Sequence, residues 1–187
     1  MPDNTPNLTS HPTSHPTSHR TSHRTSHPTS RLSHTCCYYQ ASAQRLNQFY
    51  KQHHHEGRMH PDDIGILLCT PEPKPVSALR LIQHPNTWRL RHLFTAPAQR
   101  QQGLASHLME LTLHRAHCEP AITDISLICT TELMPFYQQH GFRSPSEQPL
   151  ILLQRFHLNR TELKLLRSSQ YQLLHCPMIQ PAPLKPL

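Results

Sequence analysis

Glycine is scarce, with four residues in 187, so each glycine in this chain needs a structural reason. No stretch approaches the roughly 18 consecutive apolar residues that would span a bilayer, and the N-terminus lacks the apolar core of a secretory signal. A soluble, cytoplasmic protein with no membrane partner is therefore expected. None of the six cysteines (Cys36, Cys37, Cys69, Cys118, Cys129, Cys176) forms a C-x-x-C pair, and adjacent Cys36 and Cys37 are poorly placed to bridge each other. Scattered thiols of this kind point to a reducing compartment rather than a disulfide framework. Acidic residues are few: 11 against 18 Lys and Arg, a formal charge of +7. That surplus favours polyanionic partners. Yet no run of five basic residues and no aromatic-plus-basic ribbon exists, which argues against nucleic acid and leaves a phosphate-bearing small molecule.

What fills the chain instead is proline (19) and histidine (18), with Ser, Thr and Gln. Residues 11–30 repeat every four as HPTS or HRTS, placing histidines at His11, His15, His19, His23 and His27. Four-residue spacing would stack imidazoles on a helix face, but Pro12, Pro16, Pro28 and the Thr-Ser pairs oppose a helix. With almost nothing to bury, residues 1–34 are expected to form a disordered leader. Such a tract binds Ni, Zn or Cu weakly if it binds metal at all, and no metal site is assigned. The length suits one domain with tails.

From residue 35 the pattern becomes that of a folded domain. Strands are predicted over 35–39, 64–69, 76–82, 88–95, 122–129 and 150–156. Helices are predicted over 41–52, 104–117 and 133–140, with a further amphipathic helix over 161–174 before a Pro-rich end. Leu46, Phe49 and Tyr50 share one helix face, as do Leu104, Leu108 and Leu111. IGILLC (64–69) is a short apolar run suited to a buried strand and is stopped by Pro71, Pro73 and Pro75. The order β, α, β-β-β, α, β, α, β implies an α/β fold with a mixed, mostly antiparallel central sheet and helices on both faces.

The strongest local signal is the segment LRHLFTAPAQRQQGLASHLMEL, a strand, a polar loop and a helix. The first turn of a helix has amides without internal partners at the positive end of its dipole, which suits a pyrophosphate. Gly103 has no Cβ to keep phosphate oxygens away, Ala105 is nearly as small, Arg100 adds charge and Ser106 a hydroxyl. The loop is neither a Walker loop nor a dinucleotide fingerprint. By itself R-x-x-G-x-A is a weak motif. A second segment, PFYQQHGF at 135–142, follows the next strand.

Together the two segments resemble the GCN5-related N-acetyltransferase (GNAT) superfamily, over residues 35–158. The first reads Thr95-Ala96-Pro97 and Arg100-Gln101-Gln102-Gly103-Leu104-Ala105; the second Phe136-Tyr137 and Gly141-Phe142. The resemblance implies an acyltransferase that uses acetyl-CoA as co-substrate. The main chain of Leu93, Phe94 and Thr95 would bind the pantetheine arm. Arg100 to Ala105 with Ser106 would hold the pyrophosphate, and Tyr137 would face the sulfur. Gln101 stands where the family usually has glycine, and Thr130 where many members use asparagine for the pantetheine.

The same resemblance implies attack by a neutral amine in a ternary complex, with an oxyanion near the Phe94 amide and Tyr137 returning a proton to the thiolate. A phenol's pKa near about 10 is close enough to a thiol's for that task. The base is left open between His92, Glu132 and a water. The acceptor, a small-molecule or peptide amine, carries no motif, and a homodimer is compatible with the sequence. Two other readings remain at this point: a non-catalytic acyl-CoA-binding domain, and a metal-handling protein working through its leader.

Overall fold

The computed structural model describes residues 36–38, 40–146 and 149–178. The His-rich leader and the Pro-rich end lie outside the described residues. Six strands form one sheet in chain order: β1 (Cys36–Tyr38), β2 (Ile64–Cys69), β3 (Pro75–Gln83), β4 (Thr87–Thr95), β5 (Asp124–Thr130) and β6 (Tyr171–Pro177). Every neighbouring pair is antiparallel except β4 with β5. Helices α1 (Ala43–Gln52), α2 (Leu104–His117), α3 (Met134–Gln138), α4 (Pro149–Arg155) and α5 (Arg160–Leu166) flank it. Among the described residues, no helix is long and apolar enough to cross a membrane.

The β2 run is buried throughout because each of its faces meets a helix. Ile64, Ile66 and Leu68 join a core with Leu108 and Met109 of α2, while Leu67 and Cys69 join a second core with Leu46, Phe49 and Tyr50 of α1. Successive strand residues point to opposite faces, so one apolar strand serves two layers. Ser42 starts α1 by accepting a hydrogen bond from the Arg45 amide at 3.3 Å.

Two irregularities shape the centre of the sheet. β4 and β5 pair only at Thr87–Asp124, Trp88–Ile125 and Arg89–Ser126, and beyond those pairs the strands part. Along the other edge of β4 the register slips. Ala78 faces Phe94 while Arg80 faces Arg91, so β4 carries one residue more than β3 over that stretch. This is a β-bulge, and His92 sits in it with φ of 55°, a left-handed conformation in which glycine is usual.

The C-terminal part departs from the sequence-based expectation. Residues 150–156 are not the last strand; 150–155 lie in α4, with Pro149 at its start, and Phe156 follows in a turn. A short apolar run does not distinguish strand from helix by periodicity, and here Leu, Gln and Arg, which have no branch at Cβ, dominate. The helix predicted over 161–174 begins correctly but ends at Leu166, where Ser168 accepts a hydrogen bond from the Gln170 amide in a turn. Tyr171–Pro177 then forms β6, paired with β5 along its full length. Non-local pairing overrides local helix preference there. The segment expected to be helix and tail thus supplies the sixth strand.

Candidate active site

Where β4 and β5 part, the end of β4, the 97–103 loop, the start of α2 and α3 enclose a cleft of about 450 Å³. Its β4 wall is Leu93, Phe94 and Thr95, and its loop wall is Gln99, Arg100 and Gln101. Gly103, Leu104, Ala105 and Ser106 close one end, and Leu133, Phe136 and Tyr137 the other. Gly103 is the N-cap of α2 at φ 77°, and no side chain among the described residues caps the start of that helix. A Cβ built on Gly103 meets nothing within 4 Å; the space before the helix amides is open. Gln101 takes φ of 60° without being glycine, which gives a physical reason for glycine to be usual there. The Arg100 guanidinium folds back over the Phe94 ring at 5.7 Å and donates through Nε to the Thr95 carbonyl at 3.2 Å. The cleft therefore offers helix amides that no described side chain caps and a cation at one end and aromatic carbon at the other, a fit for a diphosphate joined to an extended thioester arm.

Tyr137 lies at the far end of the cleft and is 8% exposed. Among the described residues its hydroxyl makes no hydrogen bond. Burial, and after it the nearby Cys129 thiol, pushes the phenol up to about 12. Gly141 (φ 85°) turns the chain after α3, so that the Phe142 amide donates back to the Tyr137 carbonyl at 3.2 Å. Tyr137 also lines a second, smaller cavity of about 180 Å³ in the gap between β4 and β5. Leu90, Arg91 and His92 form the β4 wall of that cavity, Leu127 and Ile128 the β5 wall, and Leu165 and Tyr171 come from α5 and β6.

The bulge explains how Arg91 and His92 reach one cavity. Neighbours on a regular strand face opposite ways, and the extra residue breaks that alternation. The His92 carbonyl accepts the Tyr50 hydroxyl at 2.7 Å. Its ring packs edge-on against Tyr50 and His55, with centroids at 6.1 and 5.6 Å. His92 Nδ1 is buried without a partner among the described residues, and a Cβ at Gly57 would stand 2.6 Å from it. Burial first, then the charges of Arg80 and Arg91, brings His92 down to about 4. The imidazole is neutral at ordinary pH.

Beneath the second cavity, β4 is tied to α5. Both Arg89 and Arg91 donate to Glu162, Arg91 Nη1 at 2.6 Å from Oε1. Glu162, 1% exposed, also accepts the Asn159 amide at 2.9 Å while the Asn159 side chain caps α5. Arg80 pairs with Asp63. Three guanidinium groups thus face two carboxylates, and among the described residues Nε and Nη2 of Arg89 have no partner. Burial draws Arg91 below the usual arginine range, and Arg80 and Arg89 act in the same direction against Glu162.

Of the residues singled out in the sequence, Leu93, Phe94, Thr95, Arg100, Gln101, Gly103, Leu104, Ala105, Ser106 and Tyr137 converge on the cleft. Gln102 and Thr130 are not on its wall; Thr130 ends β5 opposite Tyr171. Glu132 is exposed and lines neither cavity. Sequence reasoning missed Gln99 and Leu133 on the cleft, and Arg91, Leu165 and Tyr171 on the second cavity. The last three are gathered by a bulge and by the β5–β6 pairing, for which the sequence carries no local signal.

A family model described as "Acetyltransferase (GNAT) domain" matches residues 35–150. No curated protein sequence matches the chain. Among solved structures, the ribosomal-protein-S18-alanine N-acetyltransferase from Escherichia coli is 12% identical, with 80% of this chain and 98% of that chain covered at a TM-score of 0.58. Tetrahymena GCN5 is 10% identical, with 76% and 84% covered at 0.55. N-acetylglutamate synthase from Neisseria gonorrhoeae, solved with coenzyme A and N-acetyl-glutamate, is 13% identical, with 78% and 35% covered at 0.53.

Proposed function

The chain belongs to the GCN5-related N-acetyltransferase superfamily and transfers acetyl groups from acetyl-CoA; on that premise we propose that a primary amine attacks the thioester directly, in a ternary complex spanning the two cavities. One observation carries this reading: Tyr137 stands on the wall of both the long cleft and the small cavity. Acetyl-CoA supplies an activated acyl group and a thiolate leaving group. The α2 amides behind Gly103, with Ser106 and Arg100, hold its pyrophosphate, and the β4 wall from Leu93 to Thr95 orients the pantetheine. The second cavity receives the amine.

Tyr137 gives its proton to the departing sulfur. A phenol raised to about 12 is fully protonated at working pH, and with no hydrogen-bond partner among the described residues it is left to bond with the ligand. His92 is the group best placed to take the proton the amine loses. Its Nδ1 is sealed behind Gly57, which leaves Nε2 as the exchanging nitrogen. A ring brought down to about 4 is a weak base, but an amine that has attacked a carbonyl is a far stronger acid than the free ammonium. The surplus of positive charge around Arg91 also favours the neutral, attacking form of the acceptor.

The test is Gly103→Val. A Cβ-branched side chain at φ 77° would fill the space before the helix amides. The expected outcome is loss of acetyl-CoA binding by calorimetry in a protein that still melts cooperatively, and with it loss of amine-dependent thiol release. Undiminished binding would reject the cleft as the cofactor site.

A further inference from the structure

The small cavity has a chemical character of its own. At about 180 Å³ it lies below the roughly 300 Å³ at which sites for drug-sized ligands begin. It therefore suits a small molecule or the tip of a larger one. Leu90, Leu127, Ile128 and Leu165 give it apolar sides, and among the described residues no carboxylate lines it. Glu162 of α5, the carboxylate bonded to Arg91, is spent: Arg89 and the Asn159 amide use one oxygen and Arg91 the other.

Arg91 is different. Its side chain is 28% exposed, and among the described residues Nη1 to Glu162 is its one hydrogen bond. The remaining N–H donors of a guanidinium at a cavity wall, in a group of three arginines and two carboxylates, make a site for one more anion. A cationic arm would meet like charge there at low dielectric. Arg91 and His92 are consecutive and share the cavity, so an anion held by one and an amine deprotonated by the other belong to one short molecule.

We propose that the acceptor is a small carboxylate-bearing amine with an apolar arm, an amino acid in chemical class, whose carboxylate is met by Arg91, and that polyamines and lysine side chains of basic peptides are rejected. This rests on the acetyl-transfer reading above. Arg91 would set specificity without taking part in the bond changes.

The experiment uses the full chain with acetyl-CoA and reads thiol release and product mass across matched acceptors. Leucine, leucinamide and 3-methylbutylamine share an arm and differ in the anion; spermidine, a lysine peptide, a neutral peptide N-terminus and phosphoethanolamine complete the panel. Leucine is expected to exceed leucinamide by at least about tenfold in kcat/KM, the scale of one charge-assisted contact. In Arg91→Gln that ratio should collapse toward one, chiefly through KM for leucine, and Arg91→Lys should restore part of it. A purely structural arginine would lower all acceptors together and leave the ratio intact. Preference for leucinamide, spermidine, phosphoethanolamine or either peptide overturns the proposal, as does a ratio that survives Arg91→Gln. If that variant does not fold, the Arg91→Lys ratio decides. Acetyl-CoA binding without turnover of any panel member also counts against it. Absence of both binding and turnover instead overturns the acetyl-transfer reading beneath it.

Discussion

A phenol that burial pushes up to about 12, and that has no hydrogen-bond partner among the described residues, differs from one merely packed under a cofactor. Packing alone would tolerate a phenyl ring, since Tyr137 already meets Phe136 and Phe142 edge-on at 5.1 and 5.9 Å. If the hydroxyl protonates the leaving thiolate, Tyr137→Phe removes that transfer and little else. Turnover should fall about 10²-fold, the low end for acid catalysis, while calorimetric affinity for acetyl-CoA stays close to the parent's. No alkaline limb assignable to Tyr137 should appear in the rate profile below about pH 11, one unit short of its raised pKa. A variant as fast as the parent would return Tyr137 to packing. His92 makes the complementary point. Its position follows from a left-handed backbone at φ 55° and from the absence of a side chain at Gly57, and neither is visible in the identity of the histidine itself.

At the scale of elements, legibility follows how local the cause is. β2, bounded by prolines and fully apolar, is read at its true limits of Ile64–Cys69, and α2, with its glycine N-cap and apolar stripe, at Leu104–His117. The cleft wall is legible for the same reason, because a strand, a loop and a helix start are contiguous in sequence. α4 and β6 are not. A leucine-rich run serves helix or strand equally, and YQLLHCP becomes a strand because β5 offers it an edge, with His175 accommodated by buried Asp124 at 3.0 Å. One local signal was available and unread: Asn159-x-x-Glu162 is a capping box and marks the start of α5. That box has an energetic consequence. Glu162 both caps α5 and neutralises Arg89, a cation 2% exposed. Glu162→Ala should cost about 3–5 kcal/mol, the range for leaving one partner of a buried pair unmatched, seen as a lower urea midpoint. A change under about 1 kcal/mol, as for exposed pairs, would mean that α5 is held by its leucines alone.

For the whole molecule, the relevant quantity is how many histidines the fold keeps neutral. Burial lowers His55, His84, His92 and His140, the third to about 4. In the unfolded chain each titrates near about 6.5. Between those limits the unfolded chain binds more protons than the folded one, so stability rises with pH through this window. The contribution is whole above about pH 6.5 and drains away as the pH falls toward 4. The chain already carries +7 with its histidines uncharged, so every further proton adds self-repulsion in the same direction. The melting temperature should therefore decline steadily from pH 7 to pH 5, before carboxylates with ordinary pKa values near about 4 begin to titrate. His92→Gln, which cannot protonate, should decline less steeply than the parent over that interval, even if it starts lower. Calorimetric scans at pH 7, 6 and 5 on both proteins decide the matter. A flat parent curve, or parallel slopes for the two proteins, would mean that the ring on the bulge exchanges protons with solvent as freely in the fold as out of it, and the interior assigned to it between β4 and α1 would be wrong.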